Sequence, residues 1–153
     1  MIIIKETKNN DVDFLYLCEM LEEAHKYIIK EQRNKGANCL NGLEKYKTVF
    51  VAYENENPVG CIAMTNVQEE VCSIGRVFVK EEYRNRGIAT QLLNKVEECA
   101  KKENAKILQL DTYERFIPAV HLYEKFGFKK ITKNEFNLNC AFSVYMEKKI
   151  LLD

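Results

Sequence analysis

One stretch near the middle of the chain decides its fold: Val77-Phe78-Val79-Lys80-Glu81-Glu82-Tyr83-Arg84-Asn85-Arg86-Gly87-Ile88-Ala89-Thr90. Its first residues are β-branched or aromatic, which is typical of a strand. A short charged turn follows, and the pattern from Ile88 onward predicts the start of an amphipathic helix. A strand that leads through a turn into a helix indicates a domain that mixes helices with a sheet.

The turn in this stretch has the features of a phosphate site, because Arg84, Arg86 and Gly87 crowd the predicted helix start. A helix N-terminus has unpaired N–H donors and about half a positive charge, which suits a phosphate group. The arginines add permanently charged donors, and Gly87 has no Cβ to hold a ligand away from the backbone. The pattern predicts a pyrophosphate site, with an ordinary solvated basic corner as the alternative.

Two other phosphate-binding loops do not fit this stretch. A Walker loop needs a Gly-Lys-Ser/Thr triplet after a glycine-rich turn, and the dinucleotide fingerprint needs G-x-G-x-x-G at a helix start. The sequence has neither pattern here. The predicted phosphate site is therefore of another kind.

The composition is that of one globular domain. The chain has 153 residues, of which 46% are apolar and 30% charged, which is enough for a single core, so we expect one domain over residues 1–153. The 23 basic and 23 acidic residues balance, which argues against a nucleic-acid binder. No apolar run is long enough to predict a membrane span, and the start lacks the features of a signal peptide.

The cysteines are spaced too irregularly for a metal or redox motif, and the two histidines lie far apart, so we expect no metal site. Most of the cysteines are surrounded by apolar residues, where a reduced thiol packs as a small hydrophobic group. This favours structural thiols in a cytoplasmic protein, with Cys140 as the alternative catalytic thiol. The six are Cys18, Cys39, Cys61, Cys72, Cys99 and Cys140.

Hydrophobic periodicity predicts the order β-α-(α)-β-β-β-α-β-α-β-β. The first helix spans residues 11–31, and a loop or broken second helix follows at 36–42. A third helix starts near Ile88, and a fourth starts at Pro118 and ends at Gly127. The predicted strands are 2–6, 48–53, 59–64, 71–79, 107–110 (ending in Asp111), 128–131 and 142–146.

Two motifs together resemble the GNAT (Gcn5-related) N-acetyltransferases. The segment Arg84-Asn85-Arg86-Gly87-Ile88-Ala89 matches R/Q-x-x-G-x-G/A, the acetyl-CoA signature of that family. The segment Leu122-Tyr123-Glu124-Lys125-Phe126-Gly127-Phe128 matches the second signature, L-Y-e-k-x-G-F. Their spacing and the element order also agree, so the resemblance covers essentially the whole chain. It implies a single mixed-sheet α/β fold, the GNAT-like acyl-CoA N-acyltransferase fold with a splayed central strand pair.

The resemblance also implies where acetyl-CoA binds. In this family the strand that corresponds to 71–79 carries a bulge, for which Gly75 is suited, and splays from the strand that corresponds to 106–111. The pantetheine arm lies in the gap, and the pyrophosphate lies on the N–H groups of the following helix start, with help from the Thr90 hydroxyl. The implied cofactor-binding residues are Val77, Phe78, Val79, Arg84, Asn85, Arg86, Gly87, Ile88, Ala89 and Thr90.

The sequence departs from the family at positions that bear on catalysis. Phe116 replaces a frequent cofactor-binding asparagine, and Ser73 replaces a glutamate that often serves as base. In the branch that acetylates ribosomal-protein N-termini, the base is a glutamate on the next strand, where this chain has Asp111. We therefore expect Asp111 to be the catalytic base, with Glu70 as an alternative. As a structural residue, Asp111 would instead cap the next turn or pair with Arg115.

Acyl transfer to an amine also needs stabilisation of the thioester oxygen and a proton for the departing thiolate. A backbone N–H at Val79 can supply the first, since a splayed strand leaves donors exposed. The resemblance implies Tyr123 as the proton donor, and the alternative is a tyrosine that only packs in the core. We expect His121 on the surface and His25 in packing.

These observations predict an N-acetyltransferase that moves an acetyl group from acetyl-CoA to a primary amine by direct attack in a ternary complex. The alternatives are a catalytically weak acyl-CoA sensor of the same fold and a phosphate-binding module without CoA specificity. The expected partner is a small-molecule or peptide amine, with no nucleic acid or membrane, and a homodimer is possible. The loops that choose the acceptor, about 31–47 and 133–140, carry no motif. The acidic residues Glu19, Glu22 and Glu23 either attract a cationic amine or form an ordinary solvated helix face.

Overall fold

A computed structural model gives the fold of the chain and describes residues 1–25, 42–113, 116–131 and 143–150. The strands are β1 Ile2–Thr7, β2 Tyr46–Glu54, β3 Asn57–Thr65, β4 Val71–Val79, β5 Ile107–Tyr113, β6 Lys129–Ile131 and β7 Ser143–Lys149. The helices in this part of the chain are α1 Val12–His25, α2 Ile88–Lys102 and α3 Ile117–Phe126. The strands form one mixed sheet in the order β1-β2-β3-β4-β5-β7-β6, which confirms the predicted α/β class and element order.

Several predicted boundaries fall short of the observed ones because strand pairing continues past the apolar residues. The hairpin β2–β3 pairs from Tyr46↔Thr65 to Glu54↔Asn57. Strand β5 pairs with β7 as far as Tyr113, so Asp111 lies inside the strand and does not end it, contrary to the sequence prediction. The predicted continuation of the first helix to residue 31, most of the predicted 36–42 segment and the 133–140 loop lie outside the described residues.

Helices cover both faces of the sheet. On one face lies α1, and Asp11 just before it is the N-cap: its Oδ1 accepts a hydrogen bond of 3.0 Å from the Phe14 N–H. Its apolar side packs on β2, β3 and β4. On the other face the fully buried Leu92, Leu93 and Val96 of α2 pack on the central strands. A buried apolar core thus lies on each face of the sheet. Between these cores, the sheet opens where β4 and β5 stop pairing.

A β-bulge in β4 reshapes the middle of the sheet. The register with β3 runs from Ala63↔Gly75 to Cys61↔Phe78, so β4 has one residue more than β3 across this interval. The φ of Arg76 is 54°, in the left-handed region, so the structure places the bulge at Arg76, one residue after the glycine that suggests it in the sequence. Two consecutive β4 side chains then share the α1 face of the sheet, as is usual at a bulge.

After the bulge, β4 and β5 separate. Their parallel ladder covers Val71–Ser73 of β4 against Ile107–Gln109 of β5. Beyond it, β4 continues alongside β3 while β5 continues alongside β7. The predicted splayed central strand pair is therefore confirmed, and the gap opens at the C-terminal ends of both strands.

Candidate active site

A cavity of about 910 Å3 occupies the gap between β4 and β5. Its walls come from the ends of these two strands, the turn before α2, the first residues of α2, and parts of α1 and α3. The structure brings nearly all the predicted site residues together there. The lining includes Val77, Phe78, Val79, Arg84, Asn85, Gly87, Ile88, Ala89, Thr90, Asp111 and Tyr123.

The start of α2 forms the corner of the cavity that suits a phosphate. Gly87 is the N-cap in the left-handed region with φ 77°, and no side chain caps the helix. Asn85 also has a positive φ, 64°, so the turn curls its backbone around the helix start. A Cβ added to Gly87 would meet no protein atom within 4 Å. The first-turn N–H groups of a helix have no intrahelical partner, so this corner presents donors towards open space.

The two arginines of the turn do different things. The Nε of Arg84 donates a hydrogen bond of 2.9 Å to the carbonyl of Val79, and its guanidinium lies over the Phe78 ring. Arg84 therefore ties the turn to the end of β4 at the cavity. The Arg86 guanidinium lies 3.8 Å from the Glu54 carboxylate and 5.1 Å from the centre of the Tyr83 ring. Tyr83 lines the cavity but Arg86 does not, so Arg86 is the one predicted cofactor residue placed away from the gap.

The backbone of Val79 faces the gap. The next residue, Lys80, donates its N–H to the carbonyl of Val59 at 2.9 Å, so these two residues form a hydrogen-bonded pair of the antiparallel ladder. Hydrogen-bonded and non-bonded pairs alternate in such a ladder, so Val79 directs its N–H and carbonyl away from β3. That direction is the gap left by β5, where a donor can reach a bound molecule.

Tyr123 forms part of the cavity wall from α3. It is 5% exposed, and its ring meets Phe128 edge to face with centroids 5.9 Å apart. Burial, with a smaller contribution from the negative charge of Asp111, raises the pKa of the Tyr123 phenol. The hydroxyl therefore stays protonated at neutral pH and is available as a hydrogen-bond donor.

Asp111 faces the same cavity from β5. Its side chain is exposed to molecules that enter the cavity, and the cavity walls around it partly desolvate the carboxylate. This burial raises the pKa of Asp111, and Lys45 and a backbone N–H partly oppose the effect. The alternative pairing with Arg115 lies outside the described residues. A carboxylate with a raised pKa is a stronger base than one in water.

A cluster that sequence reasoning missed lies on the α1 side of the cavity. The ring of His25 packs 5.3 Å from Tyr113 and 4.7 Å from Phe116, measured between centroids. Arg76 is buried beside them. Burial, and then the charge of Arg76, lower the pKa of His25. Burial raises the pKa values of Tyr46 and Tyr113, and Arg76 partly opposes that rise. The expectation that His25 packs is confirmed. Gly75 indicates a bulge in the sequence, but nothing in the sequence indicates that Arg76 itself takes the left-handed conformation and lies on this side.

The sequence over residues 13–128 matches the model of the acetyltransferase (GNAT) family. The chain belongs to this family. The predicted resemblance is thereby confirmed, and the splayed strands and the start of α2 belong to the GNAT fold.

Individual relatives support the same assignment. The chain is 36% identical over 87 residues to the N-acetyltransferase MJ1207 of Methanocaldococcus jannaschii, described as uncharacterized, over 53% of this chain and 38% of that protein. It spans about two fifths of the length of the curated relatives it matches first. A GNAT-family acetyltransferase from Staphylococcus aureus has a similar structure, with TM-score 0.73 and 22% identity over 96% of this chain and 99% of that one.

A second solved structure, the PaiA N-acetyltransferase of Thermoplasma acidophilum in complex with coenzyme A, matches with TM-score 0.68 and 20% identity. It covers 98% of this chain and 99% of that one. At this level of identity, both solved structures show that the fold is shared.

The positions at which the chain departs from the usual GNAT pattern have structural roles. The Ser73 hydroxyl accepts a hydrogen bond of 2.8 Å from Gln109 across the β4–β5 pair. Glu70 forms an ion pair of 2.8 Å with Lys106 and does not line the cavity, so the structure gives no support to Glu70 as a base. Phe116 packs against the His25 ring at the start of α3.

The other candidate polar and thiol side chains of the described residues do not line the cavity between β4 and β5. His121 is exposed, as expected, and so are Glu19, Glu22 and Glu23. The described cysteines are free: three are buried and Cys99 is partly so, which confirms structural thiols there, while Cys39 and Cys140 lie outside the described residues. Within the described ranges, no group of acidic, histidine or cysteine side chains could hold a metal ion, and no helix could span a bilayer.

Proposed function

We propose that this chain transfers the acetyl group of acetyl-CoA to a primary amine by direct attack in a ternary complex. One observation carries the proposal: a single cavity runs from the uncapped start of α2 to Asp111 and Tyr123 through the gap between β4 and β5. The family match and a fold relative solved with coenzyme A support the same donor.

The donor side uses the backbone. The N–H groups from Asn85 to Ala89 and the Thr90 hydroxyl bind the pyrophosphate, and Gly87 leaves the space that the phosphate oxygens need. The pantetheine arm lies in the gap, where β4 no longer pairs with β5 beyond the bulge. The thioester oxygen accepts a hydrogen bond from the Val79 N–H, which stabilises the negative charge that develops there during attack.

The acceptor amine must lose a proton before or during attack. A lysine-like amine has a pKa of about 10.4, so neutral amine costs about 4–5 kcal/mol at pH 7. Asp111 takes this proton, directly or through water, and its raised pKa strengthens it as a base. The amine nitrogen then attacks the thioester carbon, a C–N bond forms and the C–S bond breaks.

The departing thiolate takes both electrons of the C–S bond, and the nitrogen, positively charged after the attack, loses one proton to water to become the amide. Tyr123 donates its phenolic proton to that thiolate and is protonated again from water, so the reaction yields an N-acetyl amine and CoA. The aromatic contact with Phe128 fixes the ring, so that the hydroxyl keeps its place on the cavity wall.

The experiment is to incubate the full chain with acetyl-CoA and a panel of primary amines and to detect N-acetyl products by mass spectrometry. The proposal expects products that depend on Tyr123 and Asp111. Tight binding of acetyl-CoA without any product would instead support the sensor. That alternative is favoured by Ser73 and Phe116, which stand where many family members have a glutamate and an asparagine. Equal competition by ATP and CoA would support the phosphate-binding module.

A further inference from the structure

The α1 side of the cavity carries a positive charge that the transfer chemistry does not use. Arg76 is 8% exposed and lines the cavity, and its left-handed backbone directs it to the face on which α1 packs. A non-glycine residue in this conformation is uncommon, and such residues are concentrated at turns, bulges and functional sites. Arg76 has other interactions within the protein, but a guanidinium with five N–H donors can serve an internal partner and a ligand together.

Two polar atoms accompany this charge. The Nδ1 of His25 and the hydroxyl of Tyr113 are buried and have no hydrogen-bond partner among the described residues. His25 is 9% exposed and Tyr113 is 6% exposed, and both residues line the cavity. Buried polar groups without partners are unfavourable in a folded protein, so a pair of them at a cavity wall indicates a ligand that supplies the missing partners.

We propose that the acceptor is a small amino carboxylate, such as a free amino acid, whose carboxylate is bound by Arg76, His25 and Tyr113. The inference rests on the proposed acetyl transfer and adds the substrate class. A guanidinium fork matches the two oxygens of a carboxylate, and a neutral imidazole and a phenol each add one donor.

The positive charge of Arg76 favours an acceptor with a carboxylate over a polycation. The rings of His25, Tyr113 and Phe116 form a cluster, and such a cluster could in principle hold an ammonium group by cation–π attraction. Burial and the charge of Arg76 lower the pKa of His25 to about 4, so this region resists even a proton on its own imidazole. A second ammonium group would be desolvated in this region and repelled by Arg76, whereas Arg76 would attract a carboxylate.

The amino group of the proposed acceptor has a partner of its own, Asp111. Asp111 and Tyr113 are two residues apart on β5, so their side chains lie on the same face of the strand, about 6–7 Å apart along it. The carboxylate of Asp111 binds the ammonium group and then acts as its base, while Tyr113 belongs to the carboxylate-binding group. This spacing suits a molecule of the size of an amino acid.

The test uses matched acceptors with the full chain and acetyl-CoA, and N-acetyl products are measured by mass spectrometry. Each free amino acid is paired with its carboxamide, which keeps the amine but removes the negative charge, and spermidine represents the polycations. We expect kcat/KM to be at least tenfold higher for the preferred free acids than for their carboxamides or spermidine. Carboxamides or spermidine that react as well as the acids would overturn the inference and leave the acetyl transfer intact.

Two variants assign the preference to the proposed residues. Tyr113→Phe removes only the hydroxyl and keeps the ring contacts, so it should fold and should raise the KM of the free acid about tenfold. Arg76→Gln should bring the ratio of acid to carboxamide close to one. Tyr16→Phe changes an exposed tyrosine outside the cavity and should leave the ratio as in the parent.

The outcomes separate the two proposals. An unchanged ratio in Tyr113→Phe would contradict the carboxylate site even if Arg76→Gln did not fold. Bound acetyl-CoA with no acetylation of any amine would overturn the transfer activity, and the acceptor inference with it.

Discussion

The side chain of Tyr46 occupies the space that a Cβ on Gly75 would need. Both its hydroxyl and its ring lie there, so an alanine at this position would collide with a buried aromatic group. Gly75 is thus required by the close approach of the Tyr46 side chain to β4, beside the bulge that directs Arg76 into the cavity.

Gly75→Ala should therefore destabilise the protein. The added methyl group forces Tyr46 to move, and overpacking of this kind costs about 1–3 kcal/mol. Urea unfolding at pH 7 measures the change. Tyr46→Leu removes the obstructing ring. In the Tyr46→Leu background, adding Gly75→Ala should therefore lower the free energy of unfolding by less than it does in the parent. Gly75→Ala with the parent's unfolding midpoint would contradict the packing argument.

Gly87→Glu should abolish tight binding of CoA. The side chain would enter the open space at the start of α2 and place a negative charge where the pyrophosphate is proposed to bind. We expect the Kd for CoA to rise at least 100-fold in isothermal titration calorimetry. Gly87→Asn is the matched control, because asparagine tolerates the left-handed region and is neutral. Its affinity should fall less, and equal losses in both variants would assign the effect to the backbone.

Tyr123→Phe should slow turnover without loss of binding. Phenylalanine keeps the edge-to-face contact with Phe128 and removes the proton donor. General acid catalysis typically contributes about 100-fold or more, so kcat should fall by about that factor, with the Kd for acetyl-CoA unchanged. Thermal melting controls for the fold. Full turnover in a folded variant would reduce Tyr123 to a packing residue.

The fold was more accessible from sequence than the acceptor side of the site. The strand, turn and helix start around Gly87 are local, so their residues predict both the structure and the phosphate corner. The position of Arg76 depends on a bulge that forms only when β3 and β4 pair. The cluster of His25, Tyr113 and Phe116 joins three separate elements, and no spacing in the sequence records such contacts.

Asp111 shows the same limit within a single strand. The apolar run suggests a strand that stops at Leu110, and a terminal carboxylate then has an ordinary capping role. Pairing with β7 extends β5 to Tyr113, so Asp111 lies within the strand and its carboxylate faces the cavity. The family resemblance already proposes Asp111 as the base, but its position inside the strand depends on β7, which is far away in sequence.

Asp111→Asn should remove the acid limb of the pH–rate profile. The raised pKa of Asp111 means that protonation begins at a higher pH than for an ordinary aspartate, and only the ionised form accepts a proton from the amine. In the parent, kcat/KM should therefore fall as pH decreases through that pKa. Lys45 opposes the shift, and Tyr46, Tyr113 and Tyr123 stay neutral in this range. Asp111→Glu should keep a measurable limb, whereas an unchanged profile in Asp111→Asn would exclude the carboxylate as the base.

His25 should make the folded state less stable in mild acid. Burial, and then the charge of Arg76, lower its pKa from 6.5 to about 4 on folding. Between these values the unfolded chain binds a proton that the folded chain does not, so the free energy of unfolding decreases as pH falls through this window, by about 3 kcal/mol in all.

Urea unfolding at pH 7, 5.5 and 4 tests this relation. His25→Phe keeps an aromatic ring against Tyr113 and Phe116 but cannot bind a proton, so its loss of stability between pH 7 and pH 4 should be smaller than the parent's by about 3 kcal/mol. His121→Gln changes an exposed histidine on α3 and should keep the parent's pH dependence. If His25→Phe and the parent lose the same stability on acidification, His25 is protonated in the folded state, and the positive field that argues for a carboxylate acceptor is weaker than the structure implies.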